Sequence, residues 1–448
     1  MAELRPRLPR VEALIGCRLA QIDAAVVERM ISLRLREDTD VDFKREEYAA
    51  ADKGHQDAAT DVAAMANGPG GVIILGIRDR DGAAAELVPV TFAETTELRL
   101  RQAIISRTAP APFFVVHRIP LAAGPEHGVY MIIVPPSPYA PHAVRTDSRL
   151  GYPRRSGPHT RWLSESEVAD SYRARFISGE QRAARLEGVR DAGEMMLATD
   201  TIWLTTTIVP AVPGSFAVNR RSMNELKDAS VTRSELGYTS HMFRAHPQAE
   251  AAVGRVVVAA GREGSSRTST AGHAELHNDG SAFAATPIGM IMAQPPIGFV
   301  DDEDLVEAVI ATTALCLEFV TERSGAVGDA FISTSVIAAV SGIELELTQS
   351  RFHGARQPFE GTHHVPGSHI SRALISLEDA LTAHGRLIIA RMQLAGIFQW
   401  FGYPDVPQIN EAGKLRRPYI AHHNRPRVEA WATANGVELV DTTLDVEP

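Results

Sequence analysis

The stretch from residue 55 to residue 77 leaves this chain the fewest choices. Residues 55–66 are alanine-rich and helix-forming, and Asn67, Gly68 and Pro69 stop them. Two more glycines lead straight into Val72-Ile73-Ile74-Leu75-Gly76-Ile77. An apolar run without alternation is a strand buried on both faces, and such a strand needs cover on both sides. Helix, tight glycine turn and buried strand together predict an α/β module.

Outward from that unit the periodicities predict further elements. Val26, Met30 and Leu33 stand at helical spacing within a helix over 22–35, and a short strand follows at 41–44. A helix over 96–106 precedes strands at 113–119 and 129–134, joined by a connection carrying Gly and Pro. Ser164 with Glu167 three residues on is a capping box, opening a helix through Arg175 that a second charged helix follows to about residue 190. After Gly193 the texture changes. Strands are expected at 201–209, 255–260, 274–277 and 281–292, with Asn278-Asp279-Gly280 as a hairpin turn, and helices at 303–322 and 376–401. A chain of 448 residues with 44% hydrophobic content is long enough for two or three cores. The expected order is an N-terminal extension (1–24), an α/β (α+β) module with a mixed sheet (25–180), a helical linker (181–194) and a second α+β domain (195–448).

Charge narrows the partners. A net charge of −10 disfavours nonspecific coating of DNA, which is driven by counterion release from neutralised phosphates. Any nucleic-acid contact is therefore local. Between Val144 and Arg190 the balance reverses, and Arg145, Arg149, Arg154, Arg155 and Arg161 make that segment the best candidate for a phosphate-facing surface; the alternative is a solvated helix face. The two cysteines, Cys17 and Cys316, fit neither a disulfide framework nor a thiolate metal site. The N-terminus lacks an apolar leader, and no apolar run approaches the roughly 20 residues that cross a bilayer, so a cytoplasmic protein without membrane contact is expected.

Chemistry is concentrated in Glu37-Asp-Thr-Asp-Val-Asp42-Phe-Lys44. On an extended strand Asp42 and Lys44 point to the same face, and Glu37 on the preceding turn can reach it. Asp79 follows the buried strand, at the end where α/β sheets place their sites. If the two strands are neighbours, three carboxylates converge. Such a set suits a hard divalent cation, Mg²⁺ or Mn²⁺, able to generate a nucleophilic water for phosphodiester hydrolysis, with Lys44 stabilising the developing charge.

The pattern Glu37-x4-Asp42-Phe-Lys44, then Ala64-Met-Ala-Asn-Gly-Pro-Gly-Gly71 leading through Val72 to Asp79, resembles the Schlafen AlbA-2 family. Tyr152-Pro-Arg154-Arg155-Ser-Gly157-Pro-His-Thr160, with the helix after it, is similar to the family's closing loop and helix. The resemblance spans residues 25 to 178. It implies a metal-dependent endoribonuclease acting on structured RNA such as tRNA, with Glu37, Asp42 and Asp79 as catalytic acids and metal ligands. Asp42 departs from the commoner glutamate. The resemblance equally admits a non-catalytic DNA- or RNA-binding regulator, and a third reading makes the module an assembly platform with function in the C-terminal domain. Pairing two copies would widen a narrow basic surface, so a homodimer or higher oligomer is expected.

Gly68-Pro-Gly70-Gly71 supports no ATP site: a P-loop has its strand before the glycines and a Gly-Lys-Ser/Thr after them. In the second domain His273, Glu275 and His277 alternate along a strand and share one face, either as metal ligands or as the wet side of a hairpin. His353, His363, His364 and His369 are expected in a solvated loop, and Trp400 and Phe401 in a core. A sensor, regulatory or oligomerisation role suits that domain.

Overall fold

The computed structural model describes residues 6–121, 124–146, 149–199, 201–232, 248–261, 270–293, 296–338, 340, 342–349 and 357–443. The chain divides into two units, one ending at Arg182 and the other running from Ala183.

The first unit opens with α1 (Pro9–Ile15) and α2 (Ala24–Ser32), the latter capped by Asp23, whose side chain accepts from the Val26 N–H. Then come β1 (Val41–Lys44), α3 (Asp52–Ala66), β2 (Gly71–Leu75), β3 (Ile77–Arg80) and β4 (Ala83–Leu87). They are followed by β5 (Val90–Thr91), α4 (Glu94–Arg107), β6 (Thr108–Ala109), β7 (Val115–Leu121) and β8 (Gly124–Val134). The central sheet is mixed: β1 runs parallel to β2, β2 antiparallel to β8, and both β5 and β7 pair with β8. Burial of β2 on both faces is visible residue by residue. Val72 and Ile74 join a core with Val11, Ile15, Val27 and Met30, while Ile73 and Leu75 join another with Ala58, Val62, Leu100 and Ile104.

Two expectations change here. The residues before 25 are not an extension, because Leu8, Val11, Ile15, Leu19 and Ile22 fill the first of those cores. The apolar run 72–77 is not one strand: Gly76 takes φ 107° and breaks it, so that Ile77 begins the separate hairpin β3–β4.

Four short strands complete the unit: β9 (Ala143–Thr146), β10 (Arg149–Gly151), β11 (Pro153–Ser156) and β12 (His159–Trp162). β10 pairs with β9, and β11 with β12, as antiparallel ribbons. The Arg-rich segment is thus first a pair of ribbons and only then a helix, α5 (Glu165–Glu194). The capping box is formed: the Ser164 N–H donates to Glu167 Oε2 at 2.9 Å, and the Glu167 N–H to Ser164 Oγ at 3.4 Å. α5 is one continuous helix of 30 residues rather than two, and residues 181–194 are its last turns rather than a linker. The division between units falls within it.

The second unit is built on β13 (Thr201–Val212), α6 (Arg220–Thr232), β14 (Gln248–Ala252), β15 (Arg255–Gly261), β16 (Thr270–His277), β17 (Ala282–Ala293) and β18 (Pro296–Asp301). Then follow α7 (Asp302–Glu318), β19 (Val327–Ala338), β20 (Glu344–Gln349), β21 (Gln357–Pro358), β22 (Val365–Pro366), β23 (Ser368–Ser376), α8 (Ala383–Trp400) and α9 (Arg425–Asn435). One sheet of 11 strands has the central order β14-β15-β16-β17-β13-β19-β23. Leu204, Val336, Leu305, Val309, Leu394 and Phe398 join sheet, α7 and α8 in one core. The expected helix 376–401 starts late: Ser376 ends β23, and the helix begins after Thr382, whose Oγ1 accepts from the Gly385 N–H at 3.0 Å. α+β describes both units.

Candidate functional site

The parallel pairing of β1 with β2 brings the acidic motif to the centre of the first unit. Val41 and Phe43 point into the core, so Asp42 and Lys44 share the opposite face. Asp42 is only 4% exposed and both its oxygens carry a cation: Lys44 Nζ lies 2.7 Å from Oδ2 and Arg155 Nη1 3.1 Å from Oδ1. Lys44 also reaches Asp61 Oδ2 at 3.2 Å, and Tyr48 donates its hydroxyl to the same oxygen at 2.8 Å. Burial works against the Lys44 charge, but Asp61 and Asp42 outweigh it and hold the ammonium above its ordinary pKa. Burial pushes the Asp61 carboxyl up, against the pull of Lys44.

Glu37 stays on the turn before β1, held by the Gly82 carbonyl, which accepts from its N–H at 2.8 Å. Its Oε1 accepts from the Phe43 N–H at 2.8 Å. Burial raises the Glu37 carboxyl above its ordinary range, and Asp42 and Asp79 push the same way. The three acids are therefore electrostatic neighbours. Asp79, however, sits not on the buried strand but on β3, exposed, with Oδ2 3.4 Å from the Gly82 N–H.

The donor set does not fit a divalent cation as it stands. Among the described residues no group of three or more His, Cys, Asp or Glu side chains is placed to hold a metal. The reason is visible at Asp42, whose carboxylate is neutralised from both sides by this chain's own cations.

The arginines separate by strand periodicity. Along β11, Arg154 faces out while Arg155 faces in, with its side chain 3% exposed, and Arg155 Nη2 also donates to the Asp38 carbonyl at 3.1 Å. Arg155 is consequently no phosphate ligand in this arrangement. Arg145 on β9, Arg149 on β10 and Arg154 on β11 are exposed, with no acidic partner among the described residues. Arg161 on β12 lies directly across from Arg154 and pairs with Glu167 at 2.7 Å. By contrast, arginines on α5 are largely spoken for: Arg173 pairs with Asp170, Arg185 with Asp279 and Arg190 with Glu187.

Asn67, the residue after α3, anchors the ribbons. Its Nδ2 donates to the carbonyls of His142 (2.9 Å) and Pro153 (2.8 Å), and its Oδ1 accepts from the His142 N–H at 2.6 Å. The glycines after it serve close packing. A Cβ on Gly70 would lie 2.7 Å from the Val134 carbonyl, and one on Gly71 2.6 Å from that of Asp40.

In the second unit His273, Glu275 and His277 do share a face of β16, but that face is buried, not wet. Both imidazole Nε2 atoms lie 3.3 Å from Glu275, on different oxygens, and Arg255 Nε lies 3.2 Å away. Burial disfavours the Glu275 charge, yet the two histidine hydrogen bonds and Arg255 outweigh it and hold the carboxyl at about 2. His353 lies outside the described residues. His363 and His364 precede β22, whereas His369 is on β23 and stacks on Trp400 at 5.0 Å rather than standing in a loop. Phe401 is fully buried, as expected.

Sequence reasoning passed over Asp61, Tyr48 and Trp162, and read Asn67 only as a helix stop. Asp61 left the clearest trace, an acid on the apolar side of an alanine-rich helix.

Fold and ribbons define a mixed α/β module with a basic edge. Residues 37–164 match the family described as Schlafen, AlbA_2, so this part of the chain is a domain of that family, with the nucleic-acid association the family carries. The match covers under a third of the chain. Among solved structures the chain is similar to the DIP2311 protein from Corynebacterium diphtheriae, at 27% identity over 38% of this chain and 29% of that one, with a TM-score of 0.24. The chain thus spans less than a third of that protein. No curated protein matches. Among the described residues no helix is long and apolar enough to cross a membrane.

Proposed function

We propose that the first unit binds the phosphodiester backbone of nucleic acid, RNA ahead of DNA, through Arg145, Arg149, Arg154 and Arg161, in the cytoplasm. The cross-strand pair Arg154–Arg161 carries this reading. Like charges directly opposite on a ribbon repel, and among the described residues the only acid paired with either is Glu167. A phosphate between them removes the repulsion. Each phosphate contact releases counterions, so the affinity should fall linearly on a log–log plot against salt. A flat salt response, or no binding of tRNA or duplex DNA at low salt, rejects this function.

The endoribonuclease reading requires more. The mutual electrostatic influence of Glu37, Asp42 and Asp79 favours it; for those acids to take Mg²⁺ or Mn²⁺, Arg155 and Lys44 must first release Asp42. Incubating total tRNA with the full chain, with and without Mn²⁺, beside Asp79→Ala, decides between the two. Metal-dependent fragments from the wild type alone establish cleavage; intact tRNA in every lane leaves binding as the function. Two copies would double the basic edge, and a monomeric mass in solution with bound tRNA counts against assembly. The second unit is assigned a sensing, regulatory or oligomerising role.

A further inference from the structure

Trp162 closes β12 in an unusual setting. It is 50% exposed, whereas Trp203 is 1% exposed and Trp400 and Trp431 are partly buried. Its ring rests on Gly151 of β10: a Cβ built there would lie 2.4 Å from Cζ3 and 2.7 Å from Cε3. A glycine backbone therefore supports one part of the indole, and half of the side chain's surface stays in water. An indole seated on a backbone with half its surface in water can receive a flat, apolar occupant.

The surroundings say which. Arg149 stands two residues before Gly151, on the same face of β10, whereas Arg161, the chain neighbour of Trp162, points to the opposite face of β12. Arg154 lies across the ribbon from Arg161. A flat π surface beside one guanidinium, with two more on the opposite face of the same ribbon, is complementary to an unpaired base carried on a phosphate chain, since the base stacks beside Arg149 while the chain passes over the ribbon edge to Arg154 and Arg161. A protein surface would need acids against these arginines and apolar groups against the ring; a duplex offers phosphates but hides its base faces.

We infer that Trp162 is a base-stacking platform, and that the ribbon edge selects nucleic acid with at least one unpaired base. This rests on the backbone-binding function proposed above and names its substrate class. Loops and single-stranded ends of folded RNA present such bases, as does single-stranded DNA.

The test is fluorescence anisotropy of the full-length chain with short oligo(U), oligo(dT) and a duplex of equal length, using the wild type, Trp162→Ala and Trp162→Phe. Trp162→Ala should lose roughly five- to a hundredfold in affinity for the single strands and little for the duplex, while Trp162→Phe keeps most of the binding. Tryptophan emission should be quenched by single strands in the wild type and not in Trp162→Phe. Comparing oligo(U) with oligo(dT) shows which sugar the edge accepts. Equal affinities in wild type and Trp162→Ala, or equal losses on single strand and duplex, overturn the platform while leaving backbone binding intact. So does a change of oligomeric mass without a change in binding. Absence of wild-type binding to every probe overturns backbone binding itself. Because Trp162 is half exposed, all three proteins should melt together, and a shared melting temperature certifies the comparison.

Discussion

Asp42 is held by partners that come from very different distances along the chain. Lys44 is two residues away on the same strand, whereas Arg155 is 113 positions away and arrives on β11. Bringing a carboxylate and a guanidinium out of water costs several kcal/mol, which their attraction repays only when the remaining donors are also satisfied. The Asp38 and Val41 carbonyls do part of that by accepting from Arg155 Nη2, while its buried Nε has no partner among the described residues. Replacing Arg155 by Met should destabilise the protein by about 3–5 kcal/mol in urea unfolding, since it leaves a buried carboxylate short of a partner. Adding Asp42→Asn should restore part of that loss; strictly additive losses would mean the two side chains do not form a working pair. At the surface, Glu167 is held at about 2, chiefly by the Arg161 hydrogen bond, so it competes for Arg161 throughout the physiological range. Glu167→Gln should tighten nucleic-acid binding a few-fold at low salt and leave it unchanged at high salt, because screening removes the effect. Unchanged binding at low salt would show that Arg161 takes no part.

Elements built on long periodicity were legible: the alanine-rich helix and the helix near 96–106 both stand within a few residues of their expected bounds. The ribbons were not, because strands of three or four residues offer too few alternations to register as a pattern. Yet period two was enough to split Arg154 from Arg155 once the strand was known, one outward and one onto Asp42. The positions of Glu37, Asp42 and Lys44 were readable from their spacing; what occupies Asp42 was not, because no local pattern encodes a contact from a distant hairpin. Asn67 looked like a helix stop and is also a clamp. Asn67→Ala should cost roughly 3 kcal/mol, measured as a lowered melting temperature, by stranding the His142 and Pro153 backbone groups. Binding should weaken with it, since β11 starts at that clamp. A wild-type melting temperature would remove Asn67 from the scaffold.

For the molecule as a whole, the second unit supplies a separate response to acid. Glu275 has its folded pKa depressed to about 2, against about 4.3 in an unfolded chain. Its contribution to stability is accordingly complete above the unfolded value and is lost as pH falls from there through about 2. Glu275→Gln should destabilise this unit by about 3 kcal/mol at neutral pH, with the difference from wild type vanishing near pH 2. A constant difference across that range would mean that the carboxylate's charge is not what holds it.

The continuity of α5 has a practical consequence for anyone dissecting the protein. Thirty residues of helix rise about 45 Å without a break, and the frontier between the units has no loop to cut. Shears applied at residue 182 would leave both fragments with raw helical ends, eight orphaned backbone groups with no cap to receive them. Fragments that fail to behave would then report the wound, not the worth of either half.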